Sequence, residues 1–167
     1  ARTIHCHWAL EELGQPDAFT GKPLELGGTN YDQEGSAGLG VAVAAATLLE
    51  RTQHGLSGAR VAIQGLGAMG AAVCRYASEL GMQVVAVADP RLDGCWASET
   101  PVSGELLSAI ATMQFKTTAR LLPECGFTRQ SLASILTQRV DVLFPCAVQN
   151  VIHADNVNTI RSWAVVE

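Results

Sequence analysis

The feature that most narrows what this chain can become is a glycine string, Gly65-Leu66-Gly67-Ala68-Met69-Gly70, set between a strand pattern and a helix pattern. Before it runs Arg60-Val-Ala-Ile-Gln64, a short apolar segment of strand type; after it, Ala68 to Leu80 reads as a helix closed by Gly81. Gln83-Val-Val-Ala-Val-Ala88 is then apolar on both faces, as a strand inside a parallel sheet must be. Strand, helix and strand within about thirty residues predict a βαβ unit. GxGxxG alone is a weak signal, but here it follows a strand, opens a helix and precedes Asp89, nineteen residues past Gly70. That context predicts dinucleotide binding. Gly65 permits the tight turn, Gly67 keeps a side chain away from the pyrophosphate, and Gly70 lets helix and strand pack closely. Leu66, Ala68 and Met69 complete the loop, whose unpaired backbone N–H groups at the helix start favour negative charge.

Asp89 is expected to accept hydrogen bonds from the adenosine ribose, which selects NAD because a 2′-phosphate would be repelled. Pro90 turns the chain there, and Arg91 supplies the opposing argument: its guanidinium can receive that phosphate, so NADP stays possible. A purely structural loop, with Asp89 capping the next turn of chain, is the plainer alternative.

The rest of the chain alternates helix and strand patterns. Trp8 to Gly14 and Ala37 to Gln53 read as helices, the second alanine-rich and ended by Gly55. Thr20-Gly-Lys-Pro23 and Gly27-Gly-Thr-Asn30 are loop chemistry. Ser103 is expected to cap a helix over 105–113, and Thr128 another over 129–138. A strand at 140–144 stops at Pro145, a short helix covers 154–160, and a last strand runs from Trp163 to Val166. The expected fold is α/β, a doubly wound, mostly parallel sheet of Rossmann type.

Composition removes other classes. Hydrophobic residues make up 48% and charged residues 16%, enough to bury a core. A net charge of −5 argues against a nucleic-acid surface. The longest apolar stretch, Val41 to Leu49, is about half a membrane crossing, and Glu11, Glu12 and Asp17 interrupt any signal-like segment. Five cysteines with no CxxC pair fit a reducing, cytoplasmic setting. His5-Cys6-His7 lacks a second ligand group at useful spacing, so no metal site is expected.

Three blocks carry a family likeness. Thr20-Gly-Lys-Pro23, Gly27-Gly-Thr29 and Gly38-Leu-Gly-Val41 resemble a TGKP…GGS…ATGxGV segment. Val61-Ala-Ile-Gln-Gly-Leu-Gly-Ala-Met-Gly70 is similar to a VAIQGFGNVG fingerprint, and Asp141-Val-Leu-Phe-Pro-Cys-Ala-Val-Gln-Asn150 to DIxxPCAxQN. Trp163 to Glu167 looks like the strand leading into an EGAN loop. Together they resemble the glutamate/leucine/phenylalanine/valine dehydrogenase family, most closely its glutamate-using members. The resemblance implies reversible NAD(P)-dependent oxidative deamination of an L-amino acid to the 2-oxo acid and ammonia, with hydride passing between the substrate α-carbon and nicotinamide C4. It implies that Cys146, Ala147 and Asn150 lie along the nicotinamide–ribose half of the cofactor. The family's Thr in ATG corresponds to Ala37 and an Arg position to Leu39, so Ser36 is the candidate to supply the missing hydroxyl.

By the same resemblance, substrate-holding lysines and an aspartate belong to a separate substrate domain, and this chain has only Lys22 and Lys116. Residues 1–19 are therefore expected to end an interdomain helix and loop, and 20–167 to form the NAD(P)-binding domain. No catalytic residue is expected in this chain, and the amino-acid substrate is expected to meet it through the substrate domain of a homo-oligomer. A stand-alone NAD(P)-binding regulatory module, or a degenerate relative without catalysis, is the alternative.

Overall fold

Strands apolar on both faces need cover on both sides, and in the computed structural model they take the centre of a sheet. The structure describes residues 3–15 and 21–167. They belong to two compact units, 1–34 and 35–167. The first holds helix α1 (Thr3–Leu13), a 3-10 turn at Leu24–Leu26 and one helical turn, α2 (Tyr31–Glu34). Within it Cys6 is buried, its thiol donating to the Gly21 carbonyl at 3.5 Å, and His7 lies 3.9 Å from Glu25.

The second unit carries α3 (Ser36–Glu50), β1 (Arg60–Gln64), α4 (Ala68–Glu79), β2 (Gln83–Asp89) and β3 (Gly94–Ala97). Next come α5 (Gly104–Ala111), α6 (Phe115–Glu124), β4 (Thr128–Gln130), β5 (Val142–Pro145) and β6 (Ala164–Val165). The sheet order is β4-β3-β2-β1-β5-β6. β2, β1, β5 and β6 run parallel; at one edge β3 runs against them, and β4, antiparallel to β3, returns to their direction. This is the expected α/β, Rossmann-type sheet with an antiparallel flank.

Alternation along the strands divides the core. Val61 and Ile63 of β1, with Val84 and Val87 of β2, pack against α3, α4, α5 and α6 on one face. Ala62, Val85, Ala86, Ala88 and Leu143 face the other way, onto Ile135 and Val140. A bulge between Val61 and Ala62 lets Val85 join the second face without breaking the pairing. α3 lies tightly on α4: a Cβ at Gly38 would stand 2.5 Å from that of Ala72.

Several sequence expectations change. Residues 129–138 are not one helix: Thr128–Gln130 form β4 and Leu132–Thr137 a 3-10 helix, because Cys95, Trp96 and Ala97 recruit that segment as a strand partner. Residues 154–160 give only a 3-10 turn, Val157–Thr159. Directly after the Gly27–Asn30 loop, Tyr31–Glu34 form α2, which the sequence pattern does not mark. α6 and β3 have no counterpart in the sequence pattern. Ser103 does sit at the N-cap of α5, without a side-chain capping bond. The expected boundary at 19/20, with Thr20 of the first block, lies outside the described residues.

Candidate dinucleotide site

The loop is held open from three sides. Gly65 takes φ +87°, a left-handed conformation, and a Cβ there would meet Ala147 at 2.7 Å. Its N–H donates to the Ala88 carbonyl at 2.7 Å, while Cys146 N–H donates to the Gln64 carbonyl at 2.7 Å. The loop thus leaves β1 gripped by the ends of β2 and β5, in the crevice where the strand order reverses, which is where open α/β sheets bind ligands. Gly70 makes the closest approach: a Cβ on it would lie 1.8 Å from the Gly65 carbonyl oxygen.

Gly67 differs from both. Its φ of −70° suits any residue, and a Cβ there would touch nothing within 4 Å. Neither backbone strain nor packing asks for glycine, so what remains is an object that must come close from outside. Ala68, Met69 and Gly70 begin a twelve-residue helix, and their N–H groups find no acceptor among the described residues. Open space beside unpaired donors at a helix start fits a pyrophosphate.

Asp89 is 2% exposed and fully engaged. Oδ2 accepts from Leu66 N–H at 2.8 Å and Arg91 Nη2 at 2.7 Å; Oδ1 accepts from Arg91 N–H at 2.9 Å and Nε at 2.8 Å. Burial alone would raise its pKa, but the bonds from Arg91 and Leu66, with the guanidinium charge, prevail and hold it below the usual carboxylate range. Four donors fill the acceptor positions a carboxylate has. A ribose hydroxyl reaches Asp89 only by sharing or displacing Arg91. The Arg91 guanidinium also lies 3.7 Å over the Phe115 ring, and its side chain is half exposed. Pro90 starts the 3-10 turn that places Arg91 on Asp89.

At the far end of the crevice, Met69, Cys146, Ala147, Val148, Gln149 and Glu167 border a cavity of about 310 Å³. Burial, then the nearby Glu167 charge, push the Cys146 thiol up to about 12, so it is neutral there and not a nucleophile. Asn150 comes next in a left-handed turn, φ +61°, with its side chain exposed. Ser36 is the first residue of α3, exposed, behind Gly35 at φ +69°. The structure therefore brings Gly65–Gly70, Asp89–Arg91 and Cys146–Ala147 together at the ends of three adjacent strands.

Two residues are not marked by the sequence pattern. Gln64, at the end of β1, has a buried Oε1 with no hydrogen-bond partner among the described residues; its place just before the first glycine is the available signal. Phe115 offers none, since α6 itself is not foreseen. A larger hollow, about 680 Å³, lies beside Pro90 at the β3–β4 edge and contains none of the loop's donors, so size does not locate the site.

The chain matches the family described as Glutamate/Leucine/Phenylalanine/Valine dehydrogenase over residues 27–167. It belongs to that family. An NADP(+)-dependent glutamate dehydrogenase of Pyrobaculum calidifontis is 35% identical, over 96% of this chain and 39% of that protein. An NAD-specific glutamate dehydrogenase of Staphylococcus aureus is 28% identical, over 95% of this chain and 36% of its own length. The hetero-hexameric glutamate dehydrogenase of Thermus thermophilus, in its leucine-bound form, superposes with a TM-score of 0.71 at 28% identity, covering 100% of this chain and 39% of that one. The chain thus spans about two fifths of the length of these relatives. These relatives include both an NADP(+)-dependent and an NAD-specific glutamate dehydrogenase.

Proposed function

We propose that this chain is the cofactor-holding part of an NAD(P)-dependent amino-acid dehydrogenase, with glutamate as the substrate. Gly67 carries the reading, because a glycine unneeded by its own backbone and packing faces free N–H groups at a helix start. Residues 20–167 form the nucleotide-binding domain, with Gly35–Glu167 as its compact body. Residues 1–19 end the helix and loop that join it to a substrate domain. That domain supplies the cation for the substrate carboxylate and the proton-transferring base. The assembly is a homo-oligomer working in the cytoplasm, where the five free thiols persist.

In this reading the N–H groups of Ala68–Gly70 hold the pyrophosphate, and the turn at Asp89–Arg91 holds the adenosine ribose. Cys146, Ala147 and Asn150, with Ser36, border the nicotinamide end. Neutral Cys146, with Val41 and Met69, gives that end an uncharged wall. When bound, the dinucleotide supplies the hydride-accepting ring. Asp89 favours NAD once Arg91 swings away. The observed Asp89–Arg91 pairing supports a second reading, NADP use, because it neutralises the acid and leaves a half-exposed guanidinium at the ribose.

The test is to incubate the purified chain with NAD and a panel of L-amino acids while following NADH absorbance. Cofactor binding without turnover is expected, because a half-site cannot orient an amino acid against the ring. Steady NADH production from any amino acid would refute the division of labour.

A further inference from the structure

The end of the sheet remote from the glycine loop carries a second hollow with different chemistry. Arg60, Arg139, Val140, Asp141, Arg161 and Trp163 line a cavity of about 420 Å³ where the chain enters β1, β5 and β6. The length of β1 separates it from Gly65, roughly 15 Å at ~3.3 Å per residue. Of the described arginines, Arg60, Arg75, Arg91, Arg120 and Arg129 each hold a carboxylate. Arg51, Arg139 and Arg161 hold none among the described residues, and two of those three share this hollow.

The acid lining it is committed elsewhere. Asp141 Oδ2 accepts the Arg60 N–H at 2.7 Å, and Oδ1 lies 3.7 Å from His54 Nδ1. His54 stacks on Trp163 at 3.8 Å between ring centroids, so one indole face is covered while the side chain stays 44% exposed beside the arginines. Arg60 meets Glu99, whose side chain is 89% exposed, a solvent-screened pair that a better anion can displace. Guanidinium forks match the paired oxygens of phosphate groups, and the volume exceeds what one phosphate fills. We propose that this hollow is a binding site for a pyrophosphate-type oxyanion, held by Arg139 and Arg161 with Arg60 assisting, distinct from the dinucleotide crevice.

Calorimetric titration with inorganic pyrophosphate, in the presence of excess NADH to cover the glycine loop, tests this. Saturable binding is expected, weakened about tenfold or more in Arg139→Ala/Arg161→Ala by loss of both forks. It should persist in Arg129→Ala, which lies outside the hollow, and change the Trp163 fluorescence, a change missing in Trp163→Phe. Should the double alanine variant misfold, Arg139→Lys/Arg161→Lys keeps the charges and loses the forks, so weaker binding is still expected. Equal affinity in wild type and the double variants, or loss of all binding when potassium chloride matches the ionic strength, would overturn the proposal. NADH affinity is measured alongside: its absence with pyrophosphate binding intact would refute the dinucleotide reading alone.

Discussion

Replacing Gly67 by valine separates two reasons for a glycine. At this position the backbone is ordinary, φ −70°, and the new Cβ meets no atom within 4 Å, so the folded state has room for the side chain. Valine is a poor N-cap, but no capping bond is lost, and the cost to stability should stay within about 1 kcal/mol. Binding behaves differently. A side chain over the loop keeps the pyrophosphate from the N–H groups of Ala68–Gly70, and each charge-assisted hydrogen bond lost is worth ~1.5–3 kcal/mol. Losing two gives ~3–6 kcal/mol, on the order of a hundredfold or more in affinity. Gly70→Ala is the opposite control: its Cβ would stand 1.8 Å from the Gly65 carbonyl oxygen, so the loop must move at a cost on the order of 1–3 kcal/mol or more. The assay is NADH fluorescence titration paired with urea denaturation. Gly67→Val that folds like wild type and binds NADH equally well would refute the reasoning, because the loop would then be only a turn.

Arg91→Ala removes the Nε and Nη2 bonds to Asp89 and exposes the acid to the ribose. NAD affinity should rise relative to NADP by about tenfold, the worth of one charge-assisted bond; parallel titrations with both cofactors check it, and an unchanged ratio would contradict the pairing argument. The thiols of Cys74 and Cys146 are pushed up to about 12 and Cys95 to about 11, mainly by burial. Their neutral forms stabilise the fold fully below the unfolded value of ~8.5, and stability declines as pH rises from there, by up to ~1.4 kcal/mol per pH unit per thiol. Denaturation midpoints from neutral to alkaline pH measure this, and in native protein a thiol reagent should modify exposed Cys125 well before Cys74 or Cys95.

How much of the fold is legible in the sequence depends on how local each requirement is. β1, α4 and β2 are legible because period, β-branching and closing glycines sit within each segment. The glycine loop is legible for the same reason: turn, helix start and acid lie on one stretch of chain. β3 and β4 are not, since four- and three-residue strands exist only through pairings such as Ala86 with Ala97 and Trp96 with Arg129. Arg129 also donates to the Asp93 carbonyl at 2.7 Å, which helps fix that edge. α6 carries Pro123 in its last turn and lacks a side-chain cap, so its local signals oppose a helix that burial of Leu121 and Leu122 supports. At the site, Asp89 and Arg91 are both visible, but that each occupies the other, through a bidentate ion pair, appears only in the folded geometry.

The most direct test of dinucleotide binding at the strand ends maps the cofactor onto the backbone by NMR, tracking amide shifts as NADH is added. Saturable shifts are expected at Leu66–Gly70, Asp89–Arg91 and Cys146–Asn150, the ends of β1, β2 and β5. Shifts confined to the opposite end of the sheet, near Arg60 and Asp141, or no shifts at saturating NADH, would contradict that claim.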